Sequence, residues 1–196
     1  MKKNMILLLA AAATAPVATE AQTKWNIDKS HSKVQFSVTH LMISEVTGDF
    51  KAFDAEITSS KPDFSDAKVV FKIDVNSINT EDENRDTHLK SEDFFNSERY
   101  PAMVFEGTSV KKTGDNLYEY TGNLTIRDIT KPIKLKVVYL GTVKDPWGNI
   151  KAGFKVTGVV NRFDYNLKWN SLTEAGGMVV GQDVTFTVNM ELTKAN

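Results

Sequence analysis

The chain has 196 residues, with 24 Lys and Arg against 25 Asp and Glu, and it contains no cysteine. This length fits one domain with a substantial core. The near-neutral charge gives no electrostatic basis for binding nucleic acid or an anionic membrane surface. The absence of cysteine excludes disulfides, thiolate zinc sites, cysteine nucleophiles and lipid anchors attached through cysteine.

The N-terminus has the pattern of a secretory signal peptide. Lys2 and Lys3 precede an apolar run over residues 5–13, and small residues continue to Ala21. The apolar run is too short to span a bilayer. We predict a signal peptide over residues 1–21, cut after Ala21 or, as a second choice, after Ala18. The mature domain, residues 22–196, is then exported, soluble and not membrane-spanning, and the periplasm is its expected location. The alternative of a cytoplasmic N-terminal tail is disfavoured by the Lys-Lys start.

Most of the mature chain alternates apolar with polar residues, which is typical of half-buried β-strands. The inward series are Val34, Phe36 and Val38 with His40 at the end; Val69, Phe71, Ile73 and Val75; Tyr118, Tyr120, Gly122, Leu124 and Ile126; Ile133, Leu135, Val137 and Tyr139; Ala152, Phe154, Val156, Gly158 and Val160, continuing to Arg162; and Val184, Phe186, Val188, Met190 and Leu192.

The strand predicted over residues 46–57 changes its apolar phase partway along. Phe50 and Ala52 belong to one phase and Phe53 and Ala55 to the other, so we expect a bulge or bend near Ala52-Phe53. In all, the pattern predicts about eight antiparallel strands, and both a two-layer sandwich and a closed barrel fit it. A barrel of eight strands is either filled by its own side chains or holds one small ligand. Gly122 and Gly158 mark either a close approach or a bend.

One segment between strands predicts a helix. Thr80 followed by Glu83 is a capping-box pattern, and Asp82 and Glu83 suit the first turn of a helix. The helical insert ends near the aromatic pair Phe94-Phe95. A helix inserted between strands must cover something, and this pair suggests an apolar opening.

Together these motifs make the chain resemble the YceI-like family of exported, lipocalin-like polyisoprenoid-binding proteins. The matching residues span the mature chain in order, and they are Ile27-Asp28, His31-Ser32, Val34-x-Phe36-x-Val38-x-His40-Leu41, Gly48-x-Phe50, Ser77-Ile78-x-Thr80, Arg85-Asp86-x-His88-Leu89-x-Ser91-x-Asp93-Phe94-Phe95, Tyr100-Pro101, Gly122-x-Leu124-Thr125-Ile126-x-Asp128-x-Thr130-Lys131-Pro132 and Asn161-Arg162-x-Asp164-Tyr165. The chain departs from the family at Asp128, where Gly is more frequent, and at Tyr165-Asn166, where Phe-Gly is common. Asn tolerates a positive φ nearly as well as Gly, and Asp does so less well.

The resemblance implies an all-β fold: an eight-stranded antiparallel lipocalin-like barrel with a short helical insertion, enclosing an elongated apolar pocket. It implies a long-chain isoprenoid or fatty-acid-like lipid as ligand, no required metal or other cofactor, and no settled enzymatic activity. Whether the barrel forms a homodimer stays open.

Inward parity and the family motifs together select the candidate ligand-binding residues. They are Phe36, Val38, His40, Phe71, Ile73, Arg85, His88, Phe94, Phe95, Tyr118, Tyr120, Leu135, Phe154, Arg162 and Phe186.

Several of these residues have a structural interpretation beside the functional one. His88 either belongs to a network that pins the insert to the barrel, which we favour, or contacts a head group or metal. Arg162 needs a partner, and Asp28 or Asp164 is favoured over a ligand phosphate. Phe94 and Phe95 either cap the pocket mouth or fill the core. The three histidines lie on separate predicted elements, which argues against zinc.

Three functions fit these features. The favoured one is an exported carrier or sequestering protein for an apolar ligand, with no catalytic residues. The second is an enzyme acting on a lipid in the same barrel through His88, Asp86 or Arg162. The third is an interaction domain whose barrel is filled by its own side chains.

Overall fold

The computed structural model describes residues 22–174 and 176–195, so the predicted signal peptide lies outside the described residues. Within these ranges no helix combines the length and hydropathy of a membrane span. The elements are β1 (Thr23–Ile27), β2 (Lys33–His40), β3 (Ser44–Phe50), β4 (Phe53–Ser59), β5 (Lys68–Asp74), a 3₁₀-helix (Val75–Ser77), β6 (Ile78–Asn79), α1 (Glu83–Lys90), β7 (Ala102–Gly114), β8 (Leu117–Ile126), β9 (Ile129–Lys144), β10 (Ile150–Asn161), a second 3₁₀-helix (Arg162–Tyr165) and β11 (Val180–Lys194).

The strands close into an antiparallel barrel of eight staves. Strand β11 pairs with β10 along one edge, and along its other edge it pairs first with β2 and then with β1. Three of the eight staves each consist of two consecutive strands separated by a break: β1 with β2, β3 with β4, and β5 with β6. Strands β2 and β6 are both hydrogen-bonded to β3, and β1 and β5 are both hydrogen-bonded to β4. The pairing of β1 with both β4 and β11 closes the ring and confirms the barrel over the sandwich.

The break between β3 and β4 lies where the sequence predicted a change of phase. Strand β3 ends at Phe50, β4 begins at Phe53, and both phenylalanines are buried. Two intervening residues, Lys51 and Ala52, shift the pleat by one position, so that the inward side chains continue on the same face. The inward alternation therefore continues on both sides of the bend between β3 and β4.

Each end of the barrel carries a different closure. At the first, which we call the Phe64 end, Phe64 from the loop after β4 packs its ring 4.9 Å from Trp25 and 4.8 Å from Phe154. Strand β10 runs from Phe154 to the opposite end, which we call the helix end. There the insert containing α1 lies across the opening, and Arg162 reaches within 6.0 Å of the Phe94 ring.

The N-cap of α1 lies two residues later than the sequence indicated. Asp82, not Thr80, is the N-cap, and its carboxylate accepts a hydrogen bond from the Arg85 N–H at 3.0 Å. Thr80 is buried and donates its N–H and hydroxyl to Asp86 instead. Because Thr80 is hydrogen-bonded to Asp86, it does not act as the N-cap.

The two turns that depart from the family pattern behave differently. Asn166 takes a φ of 60°, as expected for a residue that replaces glycine. In the β8–β9 turn the positive φ belongs to Arg127, at 57°, and not to Asp128. The missing glycine at position 128 is therefore accommodated by its neighbour.

Glycines on the inner wall make room for aromatic rings. A Cβ added to Gly122 would lie 2.5 Å from the Glu106 carbonyl oxygen and would also meet the Phe105 ring. A Cβ at Gly158 would meet the Phe186 ring and lie 2.9 Å from Leu135. Close approach of rings, rather than a bend alone, accounts for both glycines.

We expect Gly122→Ala to lower the free energy of unfolding by about 1–3 kcal/mol, because the new methyl group overpacks against backbone. The matched control is Gly153→Ala, where the nearest atom, Leu140 Cβ, lies at 3.4 Å. Urea unfolding of the two variants measures the difference. Equal stability of the two variants would contradict the packing account.

Candidate functional site

A continuous cavity runs along the interior of the barrel. Its volume is about 250 Å³, and carbon atoms line it almost entirely. At the Phe64 end its walls include Ile57, Phe64 and Leu192, and at the helix end they include Phe94 and Leu167. The inner faces of the strands therefore form a wall around an apolar space that they do not fill.

Twelve of the fifteen predicted residues line this cavity. They are Phe36, Val38, Phe71, Ile73, Phe94, Phe95, Tyr118, Tyr120, Leu135, Phe154, Arg162 and Phe186. Parity alone placed most of them, because side chains of a strand alternate between the two faces. Their contact with a ligand remains a prediction.

The other three predicted residues, His40, Arg85 and His88, do not line the cavity. His40 is the last residue of β2, where the chain turns into the hairpin to β3. Its side chain follows the inward alternation but lies beyond the end of the cavity. Arg85 and His88 belong to α1, whose side chains are all at least partly exposed; only Leu89 of this helix reaches the cavity.

Several lining residues were not predicted from the sequence, and Phe64 and Leu167 are the two that close the ends of the cavity. Phe64 lies in a polar loop and Leu167 in the loop after the second 3₁₀-helix, so neither belongs to an alternating series. Both are buried, at 6 % and 5 % exposure. The available signal was a lone large apolar residue among polar loop neighbours, which suggests a side chain folded back onto the core.

The insert is held in place by a polar network around Thr80. Arg85 donates its Nε to the Thr80 hydroxyl and an Nη2 hydrogen to the Thr80 carbonyl, both at 2.7 Å. Asp86 accepts from the Thr80 N–H at 2.8 Å. Arg85 and Asp86 thus both bind Thr80, which ties the start of α1 to the end of β6.

His88 braces the end of the insert. Its Nε2 lies 2.9 Å from Asp93 Oδ2, and its ring packs edge-on to Phe94 and Trp169 with centroids 5.1 Å away in each case. These contacts support the bracing interpretation of His88. Phe94 therefore both lines the cavity and packs against His88 and Trp169 at the end of the insert.

Arg162 has a different partner from the one that the sequence suggested. Its guanidinium donates to the backbone carbonyls of Leu167, Trp169, Val180 and Gly181 at 2.6–3.0 Å. Both predicted carboxylate partners are engaged elsewhere, Asp28 with Lys151 and Asp164 with Lys131. Arg162 is 4 % exposed, and burial lowers its pKa. A single side chain thereby fixes both ends of the loop between β10 and β11.

A charged cluster outside the barrel joins three strands. The side-chain atoms that could hold a metal ion, from Asp28, His31 and Glu191, lie within 4.8 Å of one another. The Lys151 ammonium lies 2.8 Å from Asp28 and 3.1 Å from Glu191, so a cation of the protein itself already balances these carboxylates. The Lys151 ammonium, followed by hydrogen bonds from Ser30 and His31, holds the pKa of Asp28 well below its usual range. The cluster therefore acts as a latch between β1, β10 and β11.

Together the fold and the cavity define an eight-stranded lipocalin-like barrel with an interior ligand-sized space. The YceI-like domain matches residues 25–192, and the chain belongs to that family. Protein YceI of Salmonella newport is 38 % identical over 169 residues, which cover 85 % of this chain and 88 % of that protein.

Two solved structures show the same architecture. A Campylobacter jejuni YceI protein superposes with a TM-score of 0.69 at 30 % identity, covering 81 % of this chain and 90 % of its own. A polyisoprenoid binding domain from Saccharophagus degradans has a TM-score of 0.63 at 15 % identity, covering 87 % and 98 %. The second likeness shows the fold alone.

We expect Arg162→Lys to lower the free energy of unfolding by about 2 kcal/mol or more, because lysine cannot reach all four carbonyls and leaves some of them buried without a donor. Arg99→Lys, at an exposed site, should change it by no more than about 0.5 kcal/mol. Chemical denaturation compares the two. Full stability of Arg162→Lys would show that the guanidinium is not a brace.

The Asp28 latch also predicts how stability depends on pH. Ionised Asp28 is favoured in the folded state, so its contribution is fully present above the unfolded-state pKa of about 4 and is lost as the pH falls further. Asp28→Asn should therefore flatten the rise in stability between about pH 2 and pH 5. Lys151→Met, which removes the same pair from the other side, should flatten it too. A profile parallel to that of the natural protein in both variants would contradict the latch.

Proposed function

We propose that the mature chain is an exported binding protein that holds one long-chain apolar ligand inside the barrel. The ligand class is a polyisoprenoid or a fatty-acid-like amphiphile, held for transport, storage or sequestration. The observation that carries this proposal is the continuous, carbon-lined cavity between Phe64 and Phe94. The name of the Saccharophagus degradans domain, which describes polyisoprenoid binding, supports the same ligand class.

The shape and chemistry of the cavity favour a single slender chain. Its volume of about 250 Å³ lies just below the range for small-molecule pockets, about 300–1,000 Å³. Binding would come from burying methylene groups at about 0.8 kcal/mol each, so about ten buried groups supply roughly 8 kcal/mol before the costs of association. An extended hydrocarbon chain obtains this energy without polar contacts along its length.

The geometry supports binding over the two alternative functions. A lipid-converting enzyme would need working groups in contact with the cavity, but Asp86 and His88 are engaged in bracing the insert, and Arg162 is bonded to four carbonyls. A filled barrel would leave no continuous space, which the cavity argues against. Export to the periplasm is part of the proposal, and its support is the signal-peptide pattern of residues 1–21.

A pair of substitutions on β10 tests this proposal. Val156 lines the cavity, whereas Val159 of the same strand is 60 % exposed on the outside. Val156→Phe should displace roughly two methylene groups of ligand and weaken the binding of a long-chain isoprenoid alcohol about tenfold. Val159→Phe, the matched control, should bind as the natural protein does.

Displacement of a fluorescent apolar probe measures both affinities, and circular dichroism confirms that both variants fold. Equal affinity of the two variants for the isoprenoid alcohol would place the ligand outside the barrel and contradict the proposal. Failure of the alcohol to displace the probe from the natural protein would contradict it as well.

A further inference from the structure

One polar atom in the wall of the cavity has no hydrogen-bond partner. Tyr118 is 5 % exposed and lines the cavity, and its hydroxyl is buried without a hydrogen bond to any residue that the structure describes. Burying a hydroxyl without a partner is costly, so buried polar groups are nearly always satisfied. An unsatisfied donor on a residue that lines a ligand-sized cavity is therefore a candidate contact for the ligand.

Of the other polar residues in the wall, Tyr120 and Arg162 are already engaged, and Gln35 is exposed. Tyr120, two residues along β8 and also facing the cavity, donates its hydroxyl to the Ala67 carbonyl at 2.5 Å. The Arg162 guanidinium donates hydrogen bonds to four backbone carbonyls. In residues 22–174 and 176–195, the remaining buried and unpartnered side-chain atoms belong to Asp49, Arg127 and Tyr165, and none of these residues lines the cavity.

The surroundings of Tyr118 indicate which kind of partner suits it. Tyr118 pairs with Val137 of β9, two residues from Tyr139, whose ring lies 5.6 Å from Phe64. The hydroxyl therefore lies toward the Phe64 end. Asp63, next to Phe64, keeps its charge because hydrogen bonds from Ser65 lower its pKa. Burial, and then the charge of Asp63, raise the pKa of Tyr118, so the hydroxyl stays protonated and able to donate.

We infer that the Tyr118 hydroxyl donates a hydrogen bond to an uncharged oxygen, a hydroxyl or a carbonyl, at the polar end of the bound chain. The inference rests on the proposed function and adds an orientation to it. The polar end lies at the Phe64 end, and the hydrocarbon runs toward Phe94 and Phe95 at the helix end. An anionic head is disfavoured there because the Asp63 carboxylate repels it.

A matched pair of tyrosine variants and a matched set of ligands test the inference. Tyr118→Phe removes the unpartnered hydroxyl, and Tyr120→Phe removes one that is already bonded to the backbone. The ligands are hexadecan-1-ol, hexadecane and hexadecanoate, which share one chain length and differ at the head. Their affinities are measured by displacement of a fluorescent apolar probe.

The natural protein should bind the alcohol more tightly than the alkane or the carboxylate. Tyr118→Phe should weaken binding of the alcohol about three- to tenfold, the value of one hydrogen bond, and leave the alkane unchanged. Its urea midpoint should stay the same or rise, because a buried, unsatisfied group has been removed. Tyr120→Phe should lower the urea midpoint and keep the natural ratio of alcohol to alkane affinity.

Two results overturn the claim in distinguishable ways. If the natural protein binds none of the three ligands, the proposed function fails and the inference fails with it. If it binds them but Tyr118→Phe keeps the natural ratio of alcohol to alkane, or if the carboxylate binds most tightly, the cavity is a binding site and the role of Tyr118 is refuted.

Discussion

The pairing of β11 on both of its edges is the constraint on which the rest of the structure depends. This strand joins β10 on one side and both β1 and β2 on the other, which turns an open sheet into a closed ring. Closure fixes a circumference, and eight staves enclose an interior only just wide enough for side chains. Gly122 and Gly158 let neighbouring rings lie close against the wall. An apolar space therefore remains along the axis.

The ends of the barrel are closed by unlike means, and this difference gives the cavity a direction. The Phe64 end is sealed by aromatic packing among Phe64, Trp25 and Phe154. The helix end is covered by loops that polar side chains hold, chiefly Arg162 on the β10–β11 loop and Arg127, which donates to the Phe94 and Asn166 carbonyls. Few backbone hydrogen bonds join the insert to the barrel, so the helix end is the less firmly closed of the two.

Local periodicity predicted the barrel wall well, and tertiary contacts set the parts that it missed. The inward positions of Tyr118 and Phe154 follow from a two-residue repeat that each strand carries by itself. Phe64 reaches the cavity only because its loop folds back onto the barrel. The partners of Arg162 are backbone carbonyls, which every residue has, so the sequence could not identify them. Nothing in the sequence distinguishes the free hydroxyl of Tyr118 from the bonded hydroxyl of Tyr120. The family resemblance supplied the closed barrel, which alternation alone did not separate from a sandwich.

The measurement that tests the central claim most directly is native mass spectrometry of the purified protein, followed by organic extraction of any bound lipid. The account predicts one long-chain lipid per barrel, with an isoprenoid or fatty-acid-like mass, released on denaturation. A mass equal to the chain alone, unchanged after incubation with such lipids, would contradict the account. The apolar cavity would then belong to an interaction domain that carries no lipid.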